Sequence, residues 1–94
     1  MKLPIIVKNT SYLEFETPCY YEDYIGRFFK FYDTGYVVVS TNSIFNHFID
    51  IDNPNEYLVK EVRDVLEKGK PITEKEFINQ FTITVNHKIG RAHV

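Results

Sequence analysis

The chain has 94 residues, of which 44% are hydrophobic, 16% aromatic and 26% charged, and its formal net charge is -2 at pH 7. This length fits one domain around one core, and the composition excludes a disordered or low-complexity chain. The single cysteine, Cys19, excludes an internal disulfide, and the apolar run at 3–7 is too short for a signal peptide or a membrane span. We expect a single globular domain in a reducing, cytoplasmic compartment.

The last seven residues, KIGRAHV at 88–94, match the translation of a sequencing adapter that ends in a stop codon. We interpret them as an adapter tail and leave them out of the arguments on fold and site. On this interpretation, the domain consists of residues 1–87. The natural sequence then either ends close to residue 87 or continues beyond it into a part that is missing here. Its composition without the tail is mildly acidic.

Two short strands are predicted near the start of the chain. Residues 3–7 and 12–16 are rich in β-forming side chains, and the polar segment 8–11 between them has the composition of a turn. The first strand would be a sheet edge that either pairs with a copy of itself, giving a homo-oligomer, or is protected by Pro4. The next segment, 20–25, shows neither the helical nor the strand period convincingly, and is predicted to be a loop or an irregular entry into a strand.

The stretch GRFFKFYDTGYVVVST, residues 26–41, predicts a β-hairpin. Asp-Thr-Gly at 33–35 is typical of a three-residue loop with glycine in the left-handed region, which sets Tyr32 opposite Tyr36. One face of this hairpin is apolar and is predicted to meet the core: Phe29, Phe31, Val37 and Val39. The other face is aromatic but mixed: Phe28, Lys30, Tyr32, Tyr36, Val38 and Ser40.

Helices are predicted after the hairpin. Residues 41–43 offer capping side chains, and apolar residues then recur at helical spacing over 44–49, which favours a short helix. Asn53, with Pro54 at the first helical position, predicts a second helix that ends near Lys68, before Gly69. The fold prediction is α+β: an antiparallel β-meander of about four strands, followed by two to three helices packed on one sheet face.

A third helix start is indicated at Thr73, because Glu76 completes a capping box. The residues beyond it leave two alternatives. Phe77, Ile78 and Phe81 can line one helical face, whereas the segment 81–85 also alternates as a strand would and is rich in β-branched side chains.

Catalytic patterns are weak. Cys19 and His47 are the residue types of a nucleophilic pair, but nothing in the sequence brings them together or supplies a third, orienting group. We expect Cys19 to be a small core residue. The carboxylate pair Glu22 and Asp23 has no second motif to indicate a cleft, so we expect both on a solvated face.

Metal-binding patterns are equally weak. Asp50, Asp52 and Glu61 match three positions of a calcium loop, but Asn55 stands where that loop requires glycine. One cysteine also excludes the usual zinc spacings. We predict no metal, no cofactor and no catalytic residues.

The remaining signal is a surplus of aromatic side chains around the hairpin. Tyrosine is enriched at protein interfaces because it buries a large area with little loss of entropy and keeps a polar tip. Alternatively, the helices bury the mixed face, and Tyr32 and Tyr36 are then only a cross-strand pair. The predicted binding surface consists of Tyr20, Tyr21, Tyr24, Arg27, Phe28, Lys30, Tyr32 and Tyr36.

Three functional hypotheses follow. The first is a small non-enzymatic protein or module that binds another protein through this tyrosine-rich surface. The second is single-stranded nucleic-acid binding, in which sheet aromatics near Arg27 and Lys30 stack on bases; the acidic composition argues against it. The third is the leading part of a larger enzyme whose catalytic residues would follow residue 87. No membrane partner is expected.

Overall fold

The computed structural model describes residues 2–6 and 10–92, with side chains described over 14–87. The elements in chain order are β1 (Lys2–Ile6), β2 (Thr10–Glu14), β3 (Cys19–Glu22), β4 (Phe28–Tyr32), β5 (Gly35–Val39), β6 (Ile44–Phe48), α1 (Glu56–Lys68), β7 (Lys70–Pro71) and α2 (Glu74–Ala92). Strands β1 and β2 pair with each other as a two-stranded sheet. The other five strands form an antiparallel sheet in the order β6-β5-β4-β3-β7.

The predicted α+β class, a β-meander followed by helices, is confirmed. Strands β3 to β6 are neighbours in both sequence and space, as short turns between β-forming runs predict. The strands predicted at 3–7 and 12–16 are found one or two residues earlier, and residues 7–9 of the predicted first strand and turn lie outside the described residues. Strand β3 covers the start of the segment 20–25, for which the sequence left a loop and an irregular strand entry as alternatives.

The predicted hairpin between β4 and β5 is present, but its loop is one residue shorter than expected. Tyr32 pairs with Gly35, and Phe31 pairs with Tyr36. Gly35 does not have a positive φ; it belongs to β5, where a Cβ would lie 2.0 Å from the backbone oxygen of His47 in β6. The glycine is therefore needed for the close approach of two strands and not for a left-handed loop.

This change of register moves every β5 side chain to the opposite face of the sheet. The prediction that Tyr36 lies on the mixed face is wrong, and so is the prediction of Val37 and Val39 on the same face as Phe29. The face toward α1 instead carries Phe29, Phe31, Tyr36 and Val38, all buried. Tyr36 can be buried there because its hydroxyl donates a hydrogen bond to Glu61 of α1.

The two helices lie on opposite faces of the sheet, whereas the sequence predicted one face for both. Helix α1 packs Val59, Val62 and Val65 against the first face. Helix α2 packs on the other, where the ring of Phe77 lies 5.6 Å from that of Tyr20. The physical reason is β7, which pairs with β3 at the edge of the sheet between the two helices and carries the chain from one face to the other.

Residues 44–48 form strand β6, so the helix predicted there is wrong. Pairing with β5 outweighs the helical spacing of the apolar side chains, and it leaves Phe45 and Phe48 exposed. Helix α1 ends before Gly69 as predicted, but it begins later: its N-cap is Asn55, whose side chain accepts a hydrogen bond from the N–H of Tyr57 at 2.9 Å.

The capping box at the start of α2 is confirmed. Thr73 Oγ1 accepts from the N–H of Glu76 at 3.1 Å, and Glu76 Oε1 accepts from the N–H of Thr73 at 3.3 Å. The two alternatives for 81–85 are resolved in favour of helix. Helix α2 continues over 88–92, which the sequence interpretation assigns to an adapter tail; that interpretation stays a prediction, and His93 lies outside the described residues.

Candidate functional site

The turn between β3 and β4 forms one wall of a surface cleft. Asp23 Oδ1 accepts hydrogen bonds from the backbone N–H of Ile25 at 3.2 Å and of Arg27 at 2.8 Å, and Gly26 closes the turn with a φ of 86°. Asp23 is buried, so its predicted place on a solvated face is wrong. The sequence signal that would have identified this turn is an aspartate followed, three residues later, by glycine.

Arg27 connects this turn to helix α1. Its Nε donates to Asp23 Oδ2 at 2.7 Å, and its Nη1 donates to Glu61 Oε1 at 2.9 Å. The guanidinium carbon also lies 5.2 Å from the centre of the Phe29 ring. The second carboxylate oxygen of Glu61 accepts from the Tyr36 hydroxyl at 2.5 Å. These four polar side chains, Asp23, Arg27, Glu61 and Tyr36, are called the polar network below.

The polar network is internally satisfied. Over the described residues, no buried side-chain nitrogen or oxygen lacks a hydrogen-bond partner. Burial, followed by the hydrogen bond to Glu61 and its negative charge, raises the pKa of the Tyr36 hydroxyl well above its ordinary value. The paired charges connect the β3–β4 turn, the sheet and helix α1. Arg27 is hydrogen-bonded to two carboxylates within the network.

The cleft opens between the turn and α1 and has a volume of about 320 Å³. Tyr24 and Tyr57 line it with side chains that are 88% and 85% exposed. Its charged lining combines three acidic and three basic residues: Asp23, Glu61, Asp64, Arg27, Lys60 and Lys68. Both tyrosines are thus accessible beside a wall that the polar network fixes.

The structure does not bring the eight predicted binding residues onto one surface. Tyr24 and Arg27 lie in the cleft, whereas Tyr21 and Tyr36 pack on the α1 face of the sheet, Tyr36 with no exposed surface. The other four lie on the α2 face by strand alternation: Tyr20, Phe28, Lys30 and Tyr32. The buried Tyr36 is therefore not available to a partner.

Sequence reasoning did not identify Tyr57 as a site residue. It lies in the first turn of α1, outside the apolar stripe that Val59, Val62 and Val65 form toward the core. A large aromatic side chain placed off the core-facing stripe was the signal that would have identified it.

Helix α2 covers much of the aromatic surface on its side of the sheet. A shallow cavity of about 250 Å³ remains there, lined by Tyr20, Lys30, Val37, Glu74, Phe77 and Phe81, among others. Lys30 Nζ lies 5.9 Å from the centre of the Tyr20 ring, and the Tyr32 hydroxyl donates to Asn46 in β6. Tyr20 and Tyr32 therefore make their contacts within the molecule.

The weak catalytic and metal patterns do not converge. Cys19 is in β3 and His47 in β6, so two strands lie between them, a separation of about 14 Å at the usual strand spacing. Burial raises the pKa of the Cys19 thiol, which disfavours the nucleophilic thiolate. In the part of the chain that the structure describes, no cluster of His, Cys, Asp or Glu is arranged to hold a metal ion.

The comparisons with known proteins returned no relative. No protein-family model, curated protein or solved structure matches this chain. Within the described ranges, neither helix combines the length and the apolar character needed to cross a membrane. We therefore infer a function from the geometry of the cleft.

Proposed function

We propose that this protein is a small non-enzymatic module that binds another protein, and that the cleft between Tyr24 and Tyr57 is its binding site. The observation that supports this most is the exposure of these two tyrosines, 88% and 85%, beside a wall fixed by the polar network. A tyrosine side chain has few rotatable bonds, so ordering it at a preformed cleft costs little entropy for the area it buries, which is why tyrosine is enriched among interface hot spots.

The charges of the cleft indicate which segment of a partner would fit. Asp23, Arg27 and Glu61 pair with one another, so the partner meets mainly Lys60, Lys68 and Asp64. These three carry one excess positive charge. We expect a short peptide segment with an aromatic or aliphatic side chain between the tyrosines and an acidic residue near the lysines.

A peptide library displayed on phage and selected against the full chain tests this proposal. The selected peptides should bind a Tyr24→Ser, Tyr57→Ser double variant about a hundredfold more weakly, because two hot-spot side chains are lost. The control is an Ile78→Ser, Ile83→Ser double variant, which changes two half-exposed side chains of α2 and should bind normally. Equal binding by all three proteins, or selection of no peptide, would overturn the proposal.

The hypothesis of nucleic-acid binding has no comparable support. It needs Arg27 and Lys30 beside open aromatic rings, but Arg27 is paired with two carboxylates, and Phe77 lies on Tyr20 beside Lys30. The hypothesis of a larger enzyme rests on sequence beyond residue 87 and stays a prediction.

A further inference from the structure

The two edges of the five-stranded sheet differ in how well they are protected against another strand. The edge strand β7 has only two residues, Lys70 and Pro71, and both lysine and proline discourage pairing with another chain. The opposite edge strand, β6, has five residues, IFNHF, with no proline, no glycine and no acidic or lysine or arginine side chain. Its Phe45 and Phe48 are 56% and 67% exposed.

The hydrogen bonds of β6 show which of its backbone groups face outward. At its two ends, the N–H of Ser40 donates to the carbonyl of Ser43, and the N–H of Ile49 donates to the carbonyl of Thr34, both at 2.9 Å. Backbone groups alternate in direction along an antiparallel strand, so those of Phe45 and His47 point to β5. The backbone groups of the other three residues point away from the sheet: Ile44, Asn46 and Phe48.

From this geometry we infer that β6 pairs antiparallel with β6 of a second copy of the chain, about a two-fold axis at Asn46. Outward groups then face outward groups: Asn46 pairs with its own counterpart, and Ile44 pairs with Phe48 of the second copy. This register makes about six inter-chain backbone hydrogen bonds and joins two sheets into one. No other centre within β6 pairs all three outward-facing residues at once.

The side chains of β6 are self-complementary in this register. The exposed ring of Phe48 meets Ile44 of the second copy on one face, and Phe45 meets His47 of the second copy on the other. The acidic residue closest to β6 in the sequence, Asp50, falls opposite Asn42 of the second copy. A chain with a net negative charge therefore pairs with itself here without opposing like charges.

The pairing contact is small, so we expect a weak, reversible dimer at the low end of the size range of specific interfaces. The contact is independent of the proposed cleft, whose residues lie in the β3–β4 turn and α1. Dimerisation would place two clefts on one assembly. It does not require that a partner binds to either cleft.

Charge substitutions at Asn46, followed by analytical ultracentrifugation over a concentration series, test the inferred register. Asn46→Lys and Asn46→Asp each place a charge opposite the same charge on the second copy. The dimerisation affinity of each variant should therefore fall by at least about tenfold. An equimolar mixture of the two variants should dimerise again, because lysine then faces aspartate. The same substitution on an exposed position of α2, Asn79→Lys, is the control and should leave the dimer unchanged.

Asn46→Asp keeps a side-chain oxygen for the Tyr32 hydroxyl, so it still tests the inference if the lysine variant does not fold. A wild-type chain that sediments as a monomer at every concentration would overturn the inference, whether or not a strand of another protein then occupies the edge. A dimer that persists in both variants, or a mixture of the variants that stays monomeric, would overturn it as well.

Discussion

The two faces of the five-stranded sheet differ in how completely a helix covers them. The face toward α1 is closed by Phe29, Phe31 and Tyr36, and the buried Tyr36 hydroxyl is paired with Glu61. The face toward α2 keeps Lys30 and a shallow cavity, and the helix above it leaves Ile78 half exposed. Strand β4, FFKFY, contributes to both faces, so alternation within five residues separates a closed core from a partly open surface.

This difference indicates where stability and binding reside. The α1 face contains the polar network, and the wall of the cleft is the outer edge of that network. Substitutions on the two faces should therefore differ in their effect on the free energy of unfolding.

The largest expected effect is the loss of a buried ring from the α1 face. Phe31→Ala should lower the free energy of unfolding by about 3–5 kcal/mol, because it leaves a cavity among closely packed aromatic rings. Phe81→Ala on α2 removes the same ring from a partly exposed position and should cost about 1 kcal/mol. Urea unfolding followed by circular dichroism measures both, and equal losses would contradict the difference between the faces.

The next effect concerns a cation on each face. Arg27→Met leaves the Asp23 and Glu61 carboxylates without their shared partner and should cost about 2 kcal/mol, a value reduced for the partial exposure of the pair. Lys30→Met loses its cation–ring contact with Tyr20 and should cost about 0.5 kcal/mol. Thermal unfolding of the two variants compares them, and a larger loss for Lys30→Met would contradict the role of the polar network.

A smaller effect is expected from a single hydroxyl on each face. Tyr36→Phe removes the donor to Glu61 and should cost about 1 kcal/mol, whereas Tyr32→Phe removes a bond at the exposed end of the hairpin and should cost less than about 0.5 kcal/mol. Chemical unfolding of the two variants in parallel gives the comparison. Equal losses in the free energy of unfolding would contradict the larger contribution expected from the buried hydrogen bond.

The smallest effect appears only at alkaline pH. Because the folded state raises the pKa of the Tyr36 hydroxyl, it holds that proton more tightly than the unfolded chain does. This contribution to stability is complete below the unfolded-chain pKa of about 10 and is lost as the pH rises above it. The free energy of unfolding of the wild type should fall more steeply from pH 9 to 11 than that of Tyr36→Phe; parallel slopes would contradict the assignment.

The local signals in the sequence predicted much of the fold. Gly69 after α1 and the capping box of Thr73 and Glu76 marked helix ends that the structure confirms. The hairpin was also predicted, but Asp-Thr-Gly fits two loop lengths. The choice between them depends on Tyr36 reaching Glu61, 25 residues away in α1, which no local pattern contains.

The candidate site was less predictable for the same reason. Strand β6 exists because β5 pairs with it, although its apolar spacing fits a helix, and α2 reaches the second face because β7 pairs with β3. Tyr24 was identified from its residue type alone. Its proximity to Tyr57 depends on how α1 packs on the sheet, and only the structure provides that information.

The most direct test of the proposed function is a nuclear magnetic resonance titration of the full chain with a peptide selected from the displayed library. We expect the largest shifts of backbone amide signals at Tyr24, Arg27, Tyr57 and Lys60, and little change in the signals of β6 and α2. Shifts confined to β6 or to the cavity under α2, with the cleft signals unchanged, would contradict the claim that the tyrosine-lined cleft is the binding site.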